Sequence, residues 1–274
     1  MKPYDLPFLL THPCPGHAVD AVGHADPYAY YDSLAAGRGW HFDPCLEMWI
    51  AASAASVDEV MAHPSCRAPA LVAPNVDPAR ARALAMLIGR RLWRGDKLAP
   101  WMICVPELTM VSLAGAAQAA LPALLCEAAT ALIGNCVLAL VREPEDERCG
   151  PQDADALVHA VSRFDPPVQN VRRIVMRDCE IGGARLQVGQ EVLLVLAAAG
   201  RDARGGGAYG LGYGLADCPH YALVRALAAG AMQALMTGMR DQRKSPQRQD
   251  WLQTLAWTYR DSPNLRMPLF SHEI

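Results

Sequence analysis

From Leu108 to Cys126 the chain carries no charged residue, over about the length of a bilayer span. Whether that run lies in lipid or in a protein core decides what the remaining sequence can build around it. It consists largely of Ala, Gly, Ser, Thr and Gln set among leucines, Pro122 falls inside it, and Glu127 follows directly. So many small and polar residues leave it too weakly apolar for a span. The run therefore predicts a buried helix in a soluble protein, within a helical region from about Glu107 to Arg142 that bends or breaks near Pro122. Apolar residues make up 52% of the 274, enough for a sizeable core, while charged residues are 19% against a globular norm of about 25%.

The formal charge of −3 argues against a nucleic-acid partner, which calls for a basic excess. Nine cysteines scattered through apolar stretches suit a reducing cytosol better than a disulfide framework. Met1-Lys2 leads into Pro3-Tyr4-Asp5 and only a short apolar run, so no signal peptide is expected. The expectation is a cytoplasmic chain with no membrane partner.

Local signals predict a mainly helical fold with a small β-sheet. Asp26-Pro27 opens a helix carrying Tyr28, Tyr31 and Leu34 at helical spacing, and Gly37 stops it. Strands at Trp40–Phe42 and Met48–Ala51 flank a turn beginning at Asp43-Pro44. Ser56-Val57-Asp58-Glu59 reads as a capping box for a helix ending before Pro64. Pro69 to Pro78 reads as loop and residues 78 to 100 as helix. A helix from Ala154 stops at Phe164, before Asp165-Pro166-Pro167. Strands follow at Cys179–Ile181, Ala184–Leu186 and Glu191–Leu196, then a long helix from Pro219 to about Met239. No internal repeat is present. One domain over residues 1–274 is expected, with an N-terminal helix and strand part (1–70), a helical part (71–150) and a chemistry-bearing part (151–274).

The chemistry lies in Leu211-Gly212-Tyr213-Gly214-Leu215-Ala216-Asp217-Cys218-Pro219. A Gly-x-Gly loop lets backbone approach a flat partner closely. Cys218 falls at a helix start, where the dipole favours thiolate over thiol, and Pro219 fits the first helical position. A thiolate beside a bare backbone loop is what a haem iron needs as axial ligand.

At these residues the sequence resembles the cytochrome P450 family, whose cysteine loop reads Phe-Gly-x-Gly-x-(His/Arg)-x-Cys-x-Gly and continues into Ala-x-Leu-Ala-Arg. Gly212, Gly214, Cys218, Leu223 and Arg225 match, whereas Leu211, Ala216, His220, Tyr221 and Val224 depart. Arg163-Phe164-Asp165-Pro166-Pro167-Val168-Gln169 resembles a further family segment. So do Arg172-Arg173 through Gly182-Gly183, Asp26-Pro27-Tyr28 through His63-Pro64, and Pro263-Asn264-Leu265-Arg266. The resemblance implies a shortened P450-like fold holding haem b (iron protoporphyrin IX). Cys218 would be the iron ligand, Leu211, Gly212 and Gly214 would line the haem, and Arg173 would bind a propionate.

The departures bear on activity. The family's oxygen-activating Ala-Gly-x-(Glu/Asp)-Thr falls on Leu124-Leu125-Cys126-Glu127-Ala128, keeping the acid but not the alcohol, with Thr130 two positions on. Glu127 is thus either a catalytic proton-relay acid or a carboxylate paired with an arginine. The family's Glu-x-x-Arg falls on Ala160 and Arg163, without its Glu. Arg80, Arg82, Arg90, Arg91 and Arg94 include candidates for a second propionate partner or form a solvated helix face. His220 is expected to face the surface. His12-Pro13-Cys14-Pro15-Gly16-His17 offers three possible metal ligands but no second half.

These features imply a haem-thiolate monooxygenase or peroxygenase that oxidises a small or carrier-bound metabolite by a peroxide-driven route. The alternative is a non-catalytic haem protein, either a gas or redox sensor or an accessory subunit of a biosynthetic enzyme. The segment between Arg67 and Pro122 is too short for the family's full set of helices. The apolar stripe over residues 107 to 141 is therefore expected to stay partly uncovered until a homodimer or a partner protein covers it.

Overall fold

A small-residue seam between two helices holds the helical half of the molecule together, and the sheet packs beside it. The computed structural model describes residues 14–37, 39–67, 76–93, 97–114, 120–142, 153–205, 207–211, 218–243 and 255–272. The chain runs α1 (Asp20–Gly23), α2 (Tyr28–Ala36), β1 (Trp40–Asp43), β2 (Met48–Ala51), α3 (Ala54–Ala62), β3 (Cys66–Arg67), α4 (Pro78–Leu92), α5 (Leu98–Ala114) and α6 (Ala120–Arg142). It continues with α7 (Ala154–Phe164), β4 (Val171–Val175), β5 (Cys179–Ile181), β6 (Ala184–Leu186), β7 (Glu191–Leu194), α8 (Leu196–Arg201), α9 (Pro219–Arg243), β8 (Leu255–Tyr259) and β9 (Pro268–His272). The fold is mainly helical with small sheets, as the sequence predicts.

Helices α4, α5, α6 and α9 form a bundle: α4 packs on α5 and α9, and α6 packs on α5 and α9. Ala81, Ala85 and Gly89 recur every four residues on α4 and are buried. On α9, Gly230, Ala234 and Gly238 repeat the spacing. A Cβ at Gly89 would lie 2.9 Å from the Ala234 Cβ, and one at Gly230 would run into the Arg82 carbonyl oxygen. With no side chain at these glycines, the two backbones meet. Gly230→Val should therefore destabilise the protein by roughly 1–3 kcal/mol through overpacking, read as a lowered urea midpoint.

The bundle bears on two expectations. The region expected to bend or break near Pro122 is described as two helices, α5 ending at Ala114 and α6 beginning at Ala120. The proline inside a helix is Pro106, in α5. Every residue from Ala128 to Leu138 is buried, so the stripe over residues 107 to 141 is uncovered only in part, as expected. Ala123–Arg142 and Pro219–Asp241 are long and apolar enough to cross a membrane, but 78% and 67% of their most apolar windows are buried inside the protein. What stays open is on the outer side, at Ile103, Leu108 and Val111 of α5 and Leu124 of α6.

The main sheet has the strand order β1-β2-β7-β4-β3, with β2 and β7 parallel and the other neighbours antiparallel. Asp43 shapes the β1–β2 turn by accepting from the Cys45 and Leu46 N–H groups at 2.8 and 3.1 Å. Helix α3 starts one turn earlier than predicted. Ser53 is its N-cap, accepting from Ser56 N–H at 3.2 Å, while the Ser56 hydroxyl oxygen accepts from Ser53 N–H at 3.1 Å. Glu59, expected in the cap, instead accepts from Gly182 N–H at 3.2 Å. Gly182 and Gly183 take φ of 58° and 78°, the left-handed pair that a two-residue β5–β6 hairpin requires.

A buried arginine ties the chain's two ends to α6 and α7. Arg266 is 0% exposed. It donates from Nε to Asp165 Oδ1 at 3.0 Å, and from Nη1 to the carbonyls of Val22 and His24 at 2.8 Å each. Its guanidinium carbon lies 3.7 Å from the Tyr259 ring centroid. Burial opposes the charge, but the Asp165 carboxylate and nearby tyrosines outweigh it and hold the Arg266 pKa above its ordinary value. From α6, Asn135 Nδ2 donates to the Asp165 and Arg266 carbonyls at 3.1 and 3.3 Å.

Candidate functional site

Cys218 is placed by the start of α9. Its carbonyl accepts the Ala222 N–H at 3.0 Å, so it is the residue at which the helix begins, with Pro219 next. Of the eight described cysteines, all free, it alone stands at a helix N-terminus, and its side chain is half-buried. Its sulfur lies 3.7 Å from His220 Nδ1. His220 is 4% exposed, which corrects the expected surface position: the first turn of α9 dips into the core together with Tyr221, Leu223 and Val224.

Leu211 is buried, at 4% exposure. Gly212 and Gly214 lie outside the described residues. Sequence reasoning missed Gly210, just before that loop. It has φ of 61°, and a Cβ there would lie 2.6 Å from Tyr221 Cγ, so only glycine lets the backbone at this position lie against Tyr221 of α9.

Arg173 points inward from β4, whose alternation buries it beside Val175, and it is 3% exposed. Its Nη1 donates to the Arg172 carbonyl at 3.0 Å. Its charge reaches Cys66, whose thiol is pushed up to about 11, mainly by burial and then by the neighbouring Cys179 thiol. Among the other arginines, Arg82 bridges to Asp155 at 2.6 Å. Arg80, Arg90 and Arg91 are exposed, and Arg94 lies outside the described residues. Arg163, without its family glutamate, donates from Nε to the Gly200 carbonyl at 3.1 Å.

On α6, Glu127 faces outward, half-exposed, and Arg260 Nη2 donates to its Oε2 at 3.4 Å. Of its two readings, the arginine pair is the one seen. Thr130 is buried and its hydroxyl donates to the Met102 carbonyl at 3.3 Å. Ala128 is buried with no polar group to offer. The thiol of Cys126 is pushed up to about 12, mainly by burial and then by the Glu107 carboxylate. The described part of α6 therefore brings together no acid and alcohol that could hand on protons. Of the N-terminal His-Cys-His stretch, His12 lies outside the described residues, Cys14 is exposed, and His17 Nε2 lies 3.4 Å from Asp20 Oδ2.

No protein-family model matches the chain. Over 155 residues it is 36% identical to Protein DesVIII of Streptomyces venezuelae, covering 48% of this chain and 39% of that protein. Over 76 residues it is 40% identical to the vitamin D(3) 25-hydroxylase of Pseudonocardia autotrophica, covering 26% of this chain and 19% of that enzyme. The chain thus spans well under half the length of the curated relatives it matches. Among solved structures it superposes on CYP164A2 of Mycobacterium smegmatis with a TM-score of 0.62 at 19% identity, covering 93% of this chain and 97% of that one. The Tepidiphilus thermophilus P450 heme domain gives 0.64 at 14% identity, covering 90% and 93%. P450BioI, in complex with an acyl carrier protein bearing hexadec-9Z-enoic acid, gives 0.62 at 15% identity, covering 90% and 99%. The chain resembles cytochromes P450 in sequence and has a shortened form of their fold.

Proposed function

We propose that this shortened cytochrome P450 fold carries a haem b ligated by Cys218 and acts as a haem-thiolate oxidoreductase. The carrying observation is the half-buried Cys218 sulfur at the N-terminus of α9. This donor chemistry fits the group: a thiolate for the iron, an inward guanidinium at Arg173 for a propionate, and apolar Leu211 for the ring. When bound, the haem supplies oxidising equivalents for inserting oxygen into a substrate C–H bond.

The residues of this chain govern which oxidant can serve. Use of dioxygen with reductant would call for a proton donor held by the protein beside the haem. Ala128 has none to give, the Thr130 hydroxyl is spent on Met102, and Glu127 is paired at the surface. Loss of a positioned proton donor lowers such rates by about 10²–10⁴. Hydrogen peroxide brings its own electrons and protons, so that R–H and H2O2 give R–OH and H2O. The same missing pair supports the second reading, a haem protein that does not turn over and serves as a sensor or accessory subunit.

The P450BioI complex supports a carrier-bound substrate as the natural class. Exposed Ile103, Leu108, Val111 and Leu124 support a homodimer or partner protein over α5. Three measurements test this reading. Haemin titration should saturate at one haem per chain with a Soret band. Turnover of a small aromatic probe should then be faster with peroxide than with NADPH and reductase. Haem binding without peroxide turnover selects the accessory reading. Coupled reductase-driven turnover would contradict the assigned role of α6, and a sedimentation profile of pure monomer with no partner would remove the docking face.

A further inference from the structure

We propose that His63, Cys66 and Cys179 form a binding site for a thiophilic divalent cation of the zinc type. An imidazole nitrogen and two sulfurs, one ligand atom from each residue, lie within 4.8 Å of one another. In a tetrahedral site with Zn–S of about 2.3 Å and Zn–N of about 2.0–2.1 Å, neighbouring ligand atoms stand roughly 3.5–3.8 Å apart. Side-chain adjustments of about an ångström would close the set.

The backbone that presents the three ligands is fixed. His63 ends α3, and Cys66 N–H returns to the His63 carbonyl at 3.0 Å, closing the His-Pro-Ser-Cys turn. Met176 N–H donates to the Ser65 carbonyl at 2.7 Å, and Cys66 pairs in register with Val175. The short link from β4 to β5 then brings Cys179 to the same place, its thiol in hydrogen-bonding contact with Cys66. Ligands held on ordered elements are what a preorganised metal site needs.

The donor chemistry points the same way. Two sulfurs and one imidazole form a zinc-type set with a fourth position left for solvent or a small ligand. His63 Nδ1 accepts the Ser65 N–H at 3.2 Å. That long hydrogen bond is the one a metal would replace.

The test uses the purified full chain, reduced, equilibrated by dialysis with micromolar free zinc and analysed for metal content. One zinc per chain is expected, with Cys66→Ser and Cys179→Ser each reducing it to background. His63→Ala should weaken binding at least about tenfold, while Cys45→Ser, at an exposed thiol in the β1–β2 turn, should change nothing. If the buried Cys66→Ser chain fails to fold, Cys179→Ser and His63→Ala, both at half-buried positions, decide the matter. Undiminished zinc in Cys179→Ser overturns the proposal. So does a wild-type chain that takes up no zinc, or one whose Cys66 and Cys179 cross-link as fast with zinc present as without it.

Discussion

Arg266→Ala will lower the stability of the fold by roughly 3–5 kcal/mol, the range for leaving one half of a buried ion pair uncompensated. The reason is the number of groups that one side chain satisfies. Its removal strands the Asp165 carboxylate and the carbonyls of Val22 and His24, and takes the cation from the face of Tyr259. Domains of this kind carry a total of about 5–15 kcal/mol, so one substitution removes a third or more of it. Arg266→Lys will recover little, because an ammonium cannot present the guanidinium fork to three acceptors at once. The double change Arg266→Met with Asp165→Leu will be milder than either single change, since it leaves no unpaired charge behind. Urea denaturation of the variants, compared at their midpoints, measures all three.

The second large effect is at the start of α9. Cys218→Ala will abolish the red-shifted carbonyl band of the reduced, haem-loaded protein, because no other described thiol stands at a helix N-terminus. His220→Ala will keep the band, since its Nδ1 at 3.7 Å from the sulfur neighbours the ligand without replacing it. It will instead shift the reduction potential, which responds to polar groups around an axial sulfur. A carbonyl band unchanged in Cys218→Ala would assign the iron ligand elsewhere.

Features set by neighbouring residues were legible in the sequence. Asp153 caps α7 through Asp155 N–H at 3.0 Å, and Asp165-Pro166-Pro167 ends it, so both ends of that helix follow from local chemistry. Gly182-Gly183 likewise marks its hairpin without help from the fold. The α3 cap misled because Ser53 and Ser56 both suit an N-cap, and the reciprocal hydrogen bonds at Ser53 decide between them. Helix α8 went unread, since Leu196–Arg201 is a short Ala-rich run with no side-chain cap.

What was hidden depends on residues remote in sequence. Arg266 could be read only as the last residue of the family-like Pro263-Asn264-Leu265-Arg266 segment, and only the approach of Asp165 and the Val22 and His24 carbonyls makes it a buried hub. His63 and Cys66 lie one turn apart, but Cys179 joins them only through the pairing of β3 with β4. At the candidate haem site, Cys218 and Arg173 could be picked out by motif. The outward direction of Glu127 could not, because it depends on Arg260 arriving beside α6 from after β8.

The central claim is that Cys218 holds a haem iron as a thiolate in this shortened cytochrome P450 fold. The most direct measurement is the absorption spectrum of the purified, haem-reconstituted wild-type chain, recorded ferric and then reduced under carbon monoxide. A ferric Soret band followed by the strongly red-shifted carbonyl band of a thiolate-ligated iron is the expected result. A carbonyl band at the position typical of histidine ligation, or a chain that takes up no haem, would contradict it.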